Sequence, residues 1–197
     1  IVRYRKKIVR KNLIETFPQK NITEIKVIEK KFYRYFCDLI LETLKQINIT
    51  DKELNHIFSF KNVELIIDNY NDGRSIFVMS SHYCNWEVCA SLNLQLPAEK
   101  PLYNVYKKLK NNKFDAFMLK LRSRYGGINL EKDMLIRTLI ELKNSNKQFS
   151  VGMISDQSPR RSSNRTQLNF LGRKTWFFTG TEMLARKYSM PVYYAKI

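Results

Sequence analysis

The stretch Ser75-Ile-Phe-Val-Met-Ser-Ser-His-Tyr-Cys-Asn-Trp-Glu holds the densest reactive chemistry in the chain. An apolar run ends in two serines, His82 follows, and Glu87 lies five positions on, where a helix is expected to begin. Imidazole takes up and returns a proton near neutrality, which suits it to general-base work. A carboxylate in a first helical turn is favoured by the helix dipole. From there Glu87 is expected to accept a hydrogen bond from one ring nitrogen of His82, leaving the other as the base and balancing the imidazolium once it forms. No serine nucleophile is built in, so the attacking group would be a substrate hydroxyl or amine. Ser80 and Ser81 adjoin His82 but sit in no Gly-x-Ser-x-Gly elbow. Taken alone, a His and a Glu five apart is a weak pattern, and structural pairings compete with it.

The surrounding elements must bring these groups together. The opening IVRYRKKIVRKNLIETF sets Ile1, Tyr4, Ile8, Val9, Leu13 and Phe17 at helical intervals among Arg and Lys, and Pro18 ends it. A second helix is expected from Thr23, as N-cap, to Gln46. Thr50 and Glu53 form a capping-box pattern for a short third helix. Beyond residue 60, short apolar runs alternate with amphipathic stretches. Strands are expected at 63–67, 75–80, 103–106, 148–154, 167–171 and 192–197, with helices at 86–94, 113–125, 132–143 and 179–188. Such alternation predicts an α/β fold, a mixed but mostly parallel sheet flanked by helices, behind an N-terminal helical segment. We divide the chain into a basic helical segment, 1–58, and an α/β core, 59–197. In an open sheet of this kind, ligands lie at the C-terminal ends of strands, where His82 falls.

Composition narrows the function classes. In 197 residues there are 35 Lys+Arg against 18 Asp+Glu, a net charge of +17, with 44% hydrophobic residues, which excludes a disordered chain. The charge is concentrated: residues 1–34 carry +8, 100–124 carry +7, and 160–174 hold five basic side chains and no acidic one. The first of these, basic with an apolar stripe, suits an anionic membrane surface, or else packs on the rest of the domain. Cys37, Cys84 and Cys89 show neither disulfide nor zinc spacing, and no metal or cofactor is called for. No uncharged apolar run approaches the ~18 residues of a membrane span. A chain rich in Lys, Arg, Tyr and Phe also invites a non-enzymatic reading, as a binder of nucleic acid or anionic surfaces, with Arg160-Arg161-Ser-Ser-Asn-Arg165 touching phosphates. The lack of any nucleic-acid-binding motif weighs against it.

Taken in order, the motifs resemble those of one enzyme family. His82-x-x-Asn85-Trp86-Glu87 after an apolar strand resembles the His-x4-Asp/Glu motif of the glycerolipid and lysophospholipid acyltransferases, most of all the branch that adds secondary acyl chains in lipid A biosynthesis. Val105–Asn111 is similar to that branch's Tyr-Arg-Pro segment, Leu121–Gly127 to its next basic helix end, and Ile154–Pro159 to its Asp-Gln turn. Phe170-Leu171-Gly172 with Thr179, Gly180 and Ala185 resembles a further block, and the opening Tyr4-Arg5…Phe17-Pro18 resembles the segment that follows a membrane anchor.

The resemblance implies transfer of an acyl chain from acyl carrier protein or acyl-CoA to a lipid acceptor, a lipid A precursor or a related lysolipid or aminolipid. It places the work at the cytoplasmic face of the bacterial inner membrane. It implies His82 and Glu87 as catalytic residues, Lys107, Arg122, Arg124, Asp156 and Gln157 as substrate-binding residues, and Asn85 and Trp86 as structural neighbours. It also implies that a membrane helix precedes this chain and more sequence follows it, in keeping with a start without Met and an end inside an expected strand. One departure stands out. Lys107 and Lys108 replace the branch's Arg-Pro, and lysine supplies charge without a guanidinium's bidentate fork. That departure leaves room for an inactive relative that keeps the fold.

Overall fold

The computed structural model describes residues 4–159 and 164–196. Two antiparallel-running helices come first, α1 (Lys6–Thr16) and α2 (Ile22–Lys45). Arg10 grips the buried Glu29 through two hydrogen bonds of 2.7 and 2.9 Å, and Tyr4 stacks on Phe36. The N-cap of α2 is Asn21, two positions before the expected Thr23. Its side chain accepts from the Thr23 and Glu24 amides, and Glu24 returns a bond to the Asn21 amide, a complete capping box. The expected box at Thr50 and Glu53 opens α3 (Asp51–Ile57).

The run at 63–67, expected as a strand, is instead the start of α4 (Glu64–Asn71). Ile66, Asn69 and Tyr70 are its buried residues, and this three-and-four spacing has the helical period. The strand reading rested on Val63–Ile67 alone and stopped short of Tyr70.

From there the chain builds β1 (Ile76–Ser80), a 3-10 helix (Trp86–Gln95), β2 (Leu102–Tyr106), α5 (Asn112–Ser123), β3 (Ile128–Glu131) and α6 (Leu135–Asn144). It continues through β4 (Ser150–Ile154), β5 (Arg165–Phe170), β6 (Arg173–Phe178), α7 (Gly180–Tyr188) and β7 (Val192–Tyr194). Two strands were not expected. β3 is four residues long with only Leu130 buried, too short for a visible apolar rhythm. β6 pairs antiparallel with β5 across Leu171 and Gly172, whose φ values of 49° and 73° suit the primed two-residue turns of hairpins.

Five strands form one parallel sheet in the order β3-β2-β4-β1-β7. Alternation along β1 sends Phe77 to one face and Ile76 and Val78 to the other. Phe77 joins Val151, Leu135, Leu139 and Ala185 under α6 and α7, while Ile76 and Val78 meet Ile66, Tyr70, Leu92 and Leu96 under α4 and the 3-10 helix. Each such large side chain, fully buried, contributes about 1.5–3 kcal/mol relative to exposure. The result is the helix–sheet–helix architecture expected from the alternating pattern. No helix among the described residues is long and apolar enough to cross a membrane.

The chain leaving β1 crosses β4 to reach β2, whereas the chain leaving β4 crosses β1 to reach β7. The first connection runs by the 3-10 helix on one face of the sheet and the second by α7 on the other, so the C-terminal ends of β1 and β4 take the usual ligand position in open α/β sheets.

Candidate active site

Register brings the site together. Ser80 of β1 is level with Ile154 of β4, so the residues two further on, His82 and Asp156, emerge side by side. Asp156 grips His82 twice: Oδ2 accepts the His82 backbone amide at 3.0 Å, and Oδ1 lies 2.6 Å from Nδ1. With Nδ1–H donating to the carboxylate, Nε2 carries the lone pair. Gln157 Nε2 stands 3.3 Å from it, in position to donate. Trp86 meets the imidazole edge to face, ring centres 4.9 Å apart. The His82 side chain is 30% exposed, enough for a substrate to reach Nε2.

This differs from the expected His82–Glu87 pair. Glu87 lies in the 3-10 helix, only 9% exposed, and Arg122 of α5 takes both its oxygens, Nε to Oε2 at 2.8 Å and Nη2 to Oε1 at 2.6 Å. The Trp86 indole N–H adds a third bond to Oε1 at 3.2 Å. A guanidinium fork on a carboxylate is among the strongest neutralising contacts a protein makes. Burial opposes the Arg122 charge, but the bonds and field of Glu87 outweigh it and hold the pKa above the usual arginine value. The chain reaches this arrangement by a sharp turn at Cys84, where φ is 49°.

The other anticipated residues divide. Arg124, expected to bind substrate, donates to the backbone carbonyls of Gln46 and Ile49 and so fastens the end of α2. Arg122, expected to bind substrate, is engaged by Glu87. Lys107 is exposed in the loop leaving β2, the strand beside β4, and Asp115 shapes that loop by accepting the Leu109 amide at 2.8 Å. Asn85 bonds Glu42 at 3.1 Å and Gln46 at 3.3 Å, tying the His82 loop to α2. These α2 contacts went unforeseen; Asn85, flagged as a structural neighbour, was their one signal. Arg160 and Arg161 lie outside the described residues.

Packing holds the 3-10 helix against α5 and β2. Gly127 follows α5, and a Cβ there would fall 2.5 Å from Asn93 Nδ2, so only glycine permits the approach.

Alternative nucleophiles are otherwise occupied. Ser80 Oγ donates to the Ala195 carbonyl at 3.3 Å, and Ser81 Oγ pairs with the Tyr194 hydroxyl at 3.1 Å. Burial pushes the Cys89 thiol up to about 11, which keeps it protonated at neutral pH. Among the described residues, no group of three or more His, Cys, Asp and Glu side chains converges as a metal set would. What the arrangement offers is an oriented, solvent-reachable imidazole with a carboxylate behind it, suited to removing a proton from an incoming hydroxyl or amine.

In comparison with known families, the model described as bacterial lipid A biosynthesis acyltransferase matches residues 1–196. No curated protein matches the chain.

Proposed function

The chain belongs to the bacterial lipid A biosynthesis acyltransferases and is an acyltransferase, and from that premise we propose that His82 is the general base that drives the transfer. In this reading the acceptor hydroxyl or amine displaces Gln157 from Nε2 and gives up its proton as it attacks the acyl thioester. A C–O or C–N bond forms, the C–S bond breaks, and His82 passes the proton to the departing thiolate. Asp156 fixes the tautomer and balances the imidazolium, the work first expected of Glu87. The observation that carries this reading is the double grip of Asp156 on His82 at the C-terminal edge of the sheet.

The oxyanion needs a donor, and with Arg122 held by Glu87 we assign that place to Lys107. The donor is acyl carrier protein or acyl-CoA, both anionic and matched to a chain of net charge +17. The acceptor is a lipid A precursor or a related lysolipid or aminolipid. Residues 1–58 are the segment that meets the anionic membrane surface, with Ile8 exposed beside Lys7 and Lys11 and Val27 beside Lys26, Lys30 and Lys31, and 59–197 form the catalytic core. In this reading the enzyme works at the cytoplasmic face of the inner membrane.

The test is turnover of acyl carrier protein and acyl-CoA thioesters against a panel of lipid acceptors. We expect acylated lipid and free thiol in equal amounts with at least one acceptor. Thiol release that no lipid acceptor stimulates would refute the reading.

A further inference from the structure

A cavity of about 380 Å³ opens beside the His82 loop, on the sheet face covered by the 3-10 helix. Phe58, Phe60, Val63, Val78 and Leu92 wall it with hydrocarbon. Val78 projects to this face of β1, and alternation assigns Ser80 to the same face. The rim is fastened to the two residues before His82, since Tyr194 bonds Ser81 and the Ala195 carbonyl accepts from Ser80. Both phenols of the lining are already engaged, Tyr193 by Asn69 at 2.7 Å and Tyr194 by Ser81 at 3.1 Å. Lys61 and Lys196, both exposed, supply positive charge around the opening. A mostly apolar chamber, with Ser59 and Asn62 as its polar lining, cations at its mouth and a rim bonded to the two residues before His82, is complementary to a straight hydrocarbon chain whose reactive end is carried by an anion.

We propose that this cavity takes the hydrocarbon chain of the acyl donor, and that Cys89, on its wall, sets the length of chain accepted. The proposal rests on acyl transfer at His82. A small side chain at 89 leaves depth for distal methylenes, and a large one removes it.

The experiment compares the wild type with Cys89→Phe and Cys89→Ala on octanoyl, lauroyl and palmitoyl donors sharing one carrier. Cys89→Phe should lower kcat/KM for palmitoyl relative to octanoyl by roughly ten- to a hundredfold. Cys89→Ala should shift the ratio the opposite way, a pairing that misfolding does not produce. Unchanged chain-length ratios in both variants overturn the proposal, as does a shift in preference for acceptor chain length with none for the donor. A direct binding arm separates it from the catalytic reading: palmitic acid, followed by tryptophan fluorescence, should bind the wild type and bind Cys89→Phe at least tenfold more weakly. Binding with that loss but no turnover would sink the catalytic reading and keep the cavity. Equal binding to both proteins would sink the cavity assignment.

Discussion

At the scale of single residues, His82 has two carboxylates within its own segment of the fold, and the structure divides their work. Asp156 bonds the imidazole, while Glu87 is spent on Arg122. Replacing Asp156 with Asn keeps the shape but offers an amide where the Nδ1–H needs an anion, so the imidazolium loses its counter-charge. We expect kcat to fall on the order of 10²- to 10⁴-fold, with circular dichroism unchanged. A fall no greater than that of Glu87→Gln would point back to Glu87 as the orienting carboxylate. His82 was legible as a candidate because it follows an apolar strand, and Asp156 and Gln157 because their turn resembles the Asp-Gln turn of the family. Their partnership was not, since it depends on β1 lying beside β4 and on the level of Ser80 with Ile154. Glu87, five residues away along the chain, is visible to a linear scan; a lateral neighbour across a parallel sheet is not.

At the scale of elements, the Glu87–Arg122 pair joins the 3-10 helix to α5 and so holds the wall that backs His82. Breaking one side of a buried pair leaves an uncompensated charge. Glu87→Ala should cost about 3–5 kcal/mol in urea unfolding, whereas the double change Glu87→Leu with Arg122→Met should recover most of that loss. Recovery of turnover in the double variant would fit a bracing role; a stable but inactive double variant would return Glu87 to the chemistry. The paired strands β1 and β4 were readable from apolar runs, and α2, α5 and α7 from helical periodicity. β3 and β6 were missed because four residues, or six with Arg, Lys and Thr among them, carry too little pattern. The 3-10 character of Trp86–Gln95 had no sequence signal, yet it decides where Glu87 points.

For the whole molecule, the charge first open to a nucleic-acid reading belongs to a lipid A biosynthesis acyltransferase. A positive surface speeds the approach of an acidic donor, and salt screens it over a Debye length of about 8 Å near physiological ionic strength. We expect kcat/KM with an acyl carrier protein donor to fall roughly tenfold from low to physiological salt, while kcat stays nearly level. A salt-independent kcat/KM would rule out electrostatic steering of the donor. The three basic stretches were plain in the sequence, but their arrangement around the sheet depends on topology that no count of charges contains. Whatever the donor, the account stands on one nitrogen, Nε2 of His82. The most direct measurement is acyl transfer by His82→Ala alongside the wild type under conditions where the wild type turns over. The account predicts a loss of roughly 10²-fold or more with the fold intact; transfer at the wild-type rate would contradict it.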